Sequence, residues 1–191
     1  MKVLTLWQPW ASLIAAGVKT IETRSWRTSY RGPVAIHAGA RFHTGAWPPG
    51  LLAAVDDLCG IANYPAALPR SAVVTVVDLA DCAPMGGPYS FRTGIVEGDD
   101  GDLPGQDVLV VHEPIGFGEP DGLGRRLILD RSGGPTEDLS DQLDLGHFEP
   151  GRSGWMLENN RPLVAPVPAS GKLGLWNPDP DLLAAIEGAL P

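Results

Sequence analysis

Short runs of β-branched, aromatic or alternating residues recur along the chain between Gly, Pro and Asp residues, and they predict strands. The runs cover residues 3–7, 19–25, 33–38, 71–79, 154–158 and 164–167, and a glycine-rich turn at 171–174 leads to a short strand at 175–176. The run at 71–79, SAVVTVVDL, is the strongest of them and is predicted to lie centrally in a sheet.

Helical spacing is less frequent and predicts three short helices, at residues 10–16, 50–60 and 181–190. Pro9 suits a first helical turn, Gly17 suits a stop, and Asp179 or Asp181 is expected to cap the last helix. Many strands with few helices indicate the α+β, mostly β class. The expected architecture is a small barrel or a strongly curved sheet with short helices at its openings.

Residues 84–152 differ from the rest because Gly, Pro and Asp dominate them. Only residues 108–111 and 127–129 have apolar runs there, which predict two weak strands or a hairpin at most. We therefore expect a single domain over residues 1–191 with a long, loop-rich insertion at about 84–152.

The charge is distributed unevenly. The chain has a formal net charge of -9, yet residues 1–41 contain six basic residues and one acid, while residues 78–150 contain sixteen acids and four arginines. Duplex DNA would repel such an acidic body, but a local basic pocket remains possible. Trp7, Trp10 and Trp26 lie among the basic residues, where indoles serve either as stacking faces for bases or as packing.

The same sequence predicts a cytoplasmic protein without a membrane span, since no long apolar run occurs. Cys59 and Cys82 are expected to be reduced, with a disulfide as the alternative. His43, His112 and His147 have no ligand spacing, so neither a metal nor a cofactor is predicted.

The segment from Gly17 to Arg24 offers the most specific chemistry. In an extended strand alternate residues share a face, so Glu22 and Arg24 are predicted to be neighbours. A desolvated Lys19 can act as a base or nucleophile, but Glu22 favours its charged form and makes a fixed cation for phosphate the better expectation. Arg24 can hold phosphate, and Glu22 can accept a hydrogen bond from cytosine N4. A surface ion-pair ladder is the alternative.

The segment LTLWQPWASLIAAGVKTIETRSWRTSYRGPVAIHA resembles the start of an ASCH domain, a PUA-like family with the motif G-x-K-x-x-E-x-R. Gly17, Lys19, Glu22 and Arg24 occupy the four motif positions. GWMLENNRPL and PVPASGKLGLW resemble the closing strands of the same domain, so the resemblance covers about residues 1–82 and 153–177.

This resemblance implies a PUA-like β-barrel with an RNA- or nucleotide-binding cleft. Some relatives cleave RNA or hydrolyse an acyl amide of a modified cytidine, and their motif lysine is the proposed centre of chemistry. Lys19 and Glu22 are then the catalytic candidates, with Glu158 as a candidate further acid. The amidohydrolase relatives usually have threonine where this chain has Glu22. The residues expected to contact RNA or a nucleotide are Trp7, Trp10, Gly17, Lys19, Glu22, Arg24, Trp26, Arg27, Arg31 and His37.

Three functions follow from these features. The first is binding of single-stranded RNA or a modified nucleoside or nucleotide. The second is hydrolysis, either of N4-acylated cytidine or of RNA without a metal. The third is a coactivator-like protein-interaction module that uses the acidic insertion.

Overall fold

The computed structural model describes residues 1–85, 108–112, 126–130 and 137–191. Within these ranges the strands are Lys2–Gln8 (β1), Ile21–Arg24 (β2), Gly32–Phe42 (β3), Ala72–Pro84 (β4), Val108–His112 (β5), Arg126–Asp130 (β6), Glu137–Asp138 (β7), Ser153–Pro168 (β8) and Leu175–Trp176 (β9). The α-helices are Trp10–Ala15 (α1), Pro49–Cys59 (α2) and Pro180–Gly188 (α3), and short 3₁₀ helices cover Ile61–Asn63 and Ser140–Leu145. The predicted α+β class with few, short helices is confirmed.

Six of these strands form a mixed sheet in the order β2-β8-β4-β3-β1-β9. β1 and β3 are parallel, whereas β3 with β4, β1 with β9 and β2 with β8 are antiparallel. β4 contains the predicted central run, and it lies between β8 and β3. None of the helices in the described part of the chain is long and apolar enough to cross a membrane.

The chain forms two compact units. The first contains Met1–Thr20, Tyr30–Ala80 and Leu157–Pro191. Its core includes a cluster of buried side chains from the sheet and from α3: Val3, Ala35, Val73, Val76, Leu163, Trp176 and Ile186. Asp179 caps α3, because its carboxylate accepts a hydrogen bond from the Leu182 N–H at 2.8 Å.

The second unit contains Ile21–Ser29 and Asp81–Met156. Its core includes one cluster of buried side chains, Ile21, Ala83, Met85, Leu127 and Phe148. β5 and β6 pair antiparallel where the two weak strands were predicted, and β7 extends them to a three-stranded sheet. β7 and the 3₁₀ helix at Ser140–Leu145 went unpredicted because their sequences have no apolar run.

The structure changes one further sequence prediction and confirms another. The segments predicted separately at 154–158 and 164–167 belong to one strand, β8. Asn159 has a φ of +49° within it, so the strand bends at this residue without ending. Cys59 and Cys82 are both free thiols, as the first alternative expected.

Candidate functional site

The turn after α1 carries Lys19 into the interior of the first unit. Gly17 has a φ of +76°, a left-handed conformation that glycine adopts without steric cost. The N–H groups of Val18 and Lys19 then donate to the carbonyl of Leu13, at 3.0 and 3.1 Å. Lys19 is only 2% exposed. Burying an ammonium is costly unless polar groups meet it, so this placement is typical of a functional site or a structural ion pair.

Lys19 lines a pocket of about 410 Å³ in the first unit. Pockets of about 300–1,000 Å³ are typical of small-molecule sites. The residues around it are Ile14, Gly17, Lys19, Thr20, Val77, Leu157, Glu158, Asn159 and Asn160. The lining residues therefore combine apolar side chains with a lysine, a glutamate, a threonine and two asparagines. This combination suits a ligand that has a flat apolar surface and polar edges.

The bend at Asn159 shapes the rim of this pocket. The Asn159 amide donates to Asp78 Oδ2 at 3.0 Å, and Arg161 Nη2 donates to Asp78 Oδ1 at 2.7 Å. Arg161 Nε also donates to the Asn159 carbonyl at 3.2 Å. Asp78 lies on the neighbouring strand β4, and its carboxylate fixes the bend at Asn159 through these bonds. Glu158 is the residue immediately before the bend.

Asn160 ties the rim to the helix that precedes Lys19. Its Nδ2 donates to the Ala15 carbonyl at 2.9 Å, and its Oδ1 accepts from Thr75 Oγ1 at 2.6 Å. The Leu157 N–H also donates to the Thr20 carbonyl at 2.9 Å. Hydrogen bonds from β8 thus reach the segments on both sides of Lys19, so the pocket is preorganised by backbone and amide contacts.

The rest of the motif lies in the second unit. Glu22 Oε1 and Arg24 Nε are 3.7 Å apart, as the alternation along β2 predicted. Trp155 is opposite Glu22 on β8 and fully buried. Trp26 packs edge-on against Trp155, with ring centroids 4.6 Å apart, so its 37%-exposed indole is supported from one side.

Trp10 has a packing role in the first unit. Its ring meets His43 edge-on at 4.9 Å between centroids, and His43 contacts Trp47 at 5.4 Å.

The Tyr64 hydroxyl donates to the carbonyls of Gln8 and His43, both at 3.0 Å. Burial raises the pKa of this phenol, and nearby Cys59 adds to the rise, whereas the bond to His43 opposes it. The neutral hydroxyl is therefore the stable form here.

The remaining predicted contacts are more dispersed. Trp7 is 47% exposed, and Arg27 and Arg31 are exposed as well. His37 is 1% exposed, and its Nε2 donates to the Ala169 carbonyl at 2.9 Å, which is the geometry of a structural histidine. Among the predicted residues, the pocket brings together only Gly17 and Lys19, with Glu158 beside them.

Sequence reasoning missed the residues that build the rim, namely Thr75, Asp78, Asn159 and Asn160. One usable signal was present, since Asn is among the few non-glycine residues that tolerate a positive φ, and ENNRP places two of them in tandem. The partners on β4 carried no such signal, because their contacts depend on strand pairing.

Comparisons with known proteins concern the N-terminal half of the chain. Residues 4–93 match the ASCH domain family. A segment of 80 residues is 38% identical to Activating signal cointegrator 1 of Homo sapiens and 36% identical to that of Mus musculus. The match covers 41% of this chain but only 14% of each relative. The chain therefore contains an ASCH domain, which residues 4–93 define.

Proposed function

We propose that the pocket beside Lys19 binds one nucleotide of a single-stranded RNA, or a free modified nucleoside or nucleotide. The ASCH domain is a PUA-like module associated with RNA binding, and we infer a PUA-like barrel for this sheet. The observation that carries the proposal is the burial of Lys19 in the wall of a pocket of about 410 Å³.

The pocket residues suggest how a nucleotide would bind. The Lys19 ammonium is suited to hold a phosphate by charge-assisted hydrogen bonds. The carboxylate of Glu158 accepts hydrogen bonds, and each amide of Asn159 and Asn160 has a second N–H besides the one that holds the rim, which a base edge can accept. The aliphatic walls cover the face of a base.

We assign supporting roles to the cations and the acid that follow Lys19 in the sequence. Glu22 accepts from a base amino group such as cytosine N4, and Arg24 contacts phosphate. Trp26 offers an exposed indole, while Arg27 and Arg31 attract the strand. Residues 1–41 contain six basic residues and one acid on a chain with net charge -9, and this excess of cations in one sequence segment favours binding of a single strand over a coated duplex.

Titration of the purified chain with cytidine 5′-monophosphate and with a fluorescent single-stranded RNA tests this proposal. Lys19→Met removes the charge but keeps the length of the side chain, and Glu158→Gln changes an exposed rim residue. Both variants should bind the mononucleotide and the RNA more weakly than the parent. Folded variants that bind both ligands like the parent would contradict the proposal.

Hydrolysis is the second candidate, and the shared pocket of Lys19, Thr20 and Glu158 favours it. An amine, a hydroxyl and a carboxylate around one pocket are the groups that acid–base or nucleophilic catalysis uses. Glu22 remains the acid that the motif offers. Water would cleave the amide of N4-acetylcytidine to cytidine and acetate. Incubation with N4-acetylcytidine and with RNA in EDTA, beside a Lys19→Ala control, decides between turnover and binding alone.

A protein-interaction role is the third candidate, since residues 78–150 contain sixteen acids and four arginines. The two relatives reported above carry the name Activating signal cointegrator 1. Removing residues 86–136 while mononucleotide binding persists would separate a partner surface in the insertion from the pocket.

A further inference from the structure

Two cation–aromatic pairs lie outside the pocket in the first unit, on strands β1, β3 and β9 and in the loop before β9. The guanidinium carbon of Arg41 is 5.7 Å from the centroid of the Trp7 ring, and Lys172 Nζ is 5.0 Å from the centroid of Trp176. We call these four residues the cation–aromatic strip. None of the four is a pocket residue, so their arrangement needs a separate explanation.

Thr5 contacts the Trp176 pair and lies two residues before Trp7 on β1. Thr5 and Trp7 are two residues apart on β1, and the pairing of β1 with β3 is irregular between Leu6 and Gln8. Thr5 Oγ1 accepts a hydrogen bond from Trp176 Nε1 at 3.2 Å. Thr5 therefore supports the Trp176 pair directly, and Trp7 follows two residues later on β1, a separation of about 7 Å along a strand.

Two glycines let the backbone pack closely around this support. A Cβ on Gly39 would lie 3.3 Å from Thr5 Cγ2, and a Cβ on Gly171 would lie 2.9 Å from the same atom. A Cβ on Gly171 would also come within 2.8 Å of His37 Cε1. Since His37 is held by its bond to the Ala169 carbonyl, the loop that carries Lys172 is packed firmly against the sheet.

The two tryptophans of the strip, Trp7 and Trp176, have different roles. Trp7 is 47% exposed, so part of its indole is open to solvent, and Arg41 is exposed beside it. Trp176 is 8% exposed, so it cannot offer a stacking face, but it positions the exposed Lys172. The strip thus presents one open ring and two oriented cations, with no acid among its members.

Resting on the proposed function, we propose that the cation–aromatic strip is a second contact surface for the same single-stranded RNA, beyond the nucleotide in the pocket. Trp7 stacks on an unpaired base, because any base offers a π face, and Arg41 and Lys172 contact phosphates. A duplex keeps its bases stacked and would leave Trp7 unused. An acidic peptide would satisfy the cations but would gain little from an open indole.

The test compares a long and a short ligand on the full chain. A fluorescent single-stranded RNA of about twelve nucleotides spans more than one subsite. Cytidine 5′-monophosphate reports on the pocket alone. Trp7→Ala should weaken RNA binding by about tenfold, and Trp7→Phe should retain most of it. Arg41→Ala and Lys172→Ala should each weaken it several-fold, and none of these changes should affect the mononucleotide.

Arg70→Ala is the matched control. Arg70 is also an exposed cation placed over a ring, 6.0 Å from the centroid of Phe42, but it is not a member of the strip. This variant should bind RNA like the parent. Circular dichroism of every variant establishes that it is folded.

Three outcomes would contradict the proposal that the cation–aromatic strip contacts the RNA. In the first, folded strip variants bind the RNA like the parent while Lys19→Met does not, which leaves the pocket proposal intact. In the second, the strip variants lose the mononucleotide as well. In the third, an oligoglutamate competes as well as the RNA does, which makes the partner an acidic peptide. A parent chain that binds neither ligand refutes the proposed function and the strip together.

Discussion

The pocket and the cation–aromatic strip use cations in opposite ways. Lys19 is 2% exposed and lies in a pocket wall fixed by hydrogen bonds from β8, whereas Arg41 and Lys172 are exposed and lie over aromatic rings. Salt screens exposed charges strongly and buried charges weakly. The comparison teaches that the pocket should determine which nucleotide binds, while the strip should determine how tightly a longer strand is held.

The largest effect that separates the two regions is expected from Lys19→Met. Loss of a desolvated, charge-assisted contact costs about 2–5 kcal/mol, so mononucleotide affinity should fall by at least about thirtyfold. Calorimetric titration with cytidine 5′-monophosphate measures this loss. Lys172→Met is the matched control, because it removes the same charge outside the pocket and should leave the affinity unchanged. Equal losses of mononucleotide affinity in the two variants would contradict the assignment of mononucleotide binding to the pocket.

The next effect concerns the support of the pocket and is read as stability. Asn160→Ala removes the bonds to Ala15 and Thr75, and it should lower the free energy of unfolding by about 1–3 kcal/mol because the buried Thr75 hydroxyl loses this contact. Urea unfolding measures this change. Asn177→Ala removes only an exposed bond to Lys2 and should cost less than about 1 kcal/mol. If Asn177→Ala were the costlier change, the rim would not be the rigid part of the unit.

A comparable effect is expected beneath the strip from Gly171→Ala. The new methyl would meet His37 at 2.8 Å and Thr5 at 2.9 Å, and crowding of this kind costs about 1–3 kcal/mol of unfolding free energy. Gly188→Ala is the control, because nothing lies within 4 Å of a Cβ there and alanine favours the helix. Thermal unfolding of both variants shows whether the Lys172 loop is as firmly packed as the distances indicate.

The two regions also differ in what the sequence could predict. Gly17 and Lys19 were identified from their spacing and from the family resemblance, because the turn that positions them is local. Asp78 and Thr75 could not be identified, since each acts on β8 through strand pairing between residues distant in sequence. β8 itself was predicted as two segments because the bend at Asn159 resembles an interruption when hydrophobic alternation is the only guide.

The strip also depends on contacts between residues distant in sequence, which local patterns could not predict. Trp7 was predicted as a stacking residue, yet its partner Arg41 lies thirty-four positions away in the sequence and meets it because β1 and β3 are parallel neighbours. Lys172 was read as part of a glycine-rich turn, and only the structure places it over Trp176. Local patterns identified the chemistry of single residues, whereas pairing across the sheet determined which of them act together.

The smallest expected effect, a change in salt dependence, tests the comparison most directly. Each phosphate contact made by an exposed cation adds about one to the slope of log affinity against log salt. Arg41→Ala should therefore lower the slope for the RNA of about twelve nucleotides by about one, measured by fluorescence anisotropy between about 50 and 200 mM salt. Arg70→Ala should leave the slope unchanged. A slope that Lys19→Met lowers and Arg41→Ala does not would reverse the roles, because the pocket would then supply the screened phosphate contact and the strip only the ring.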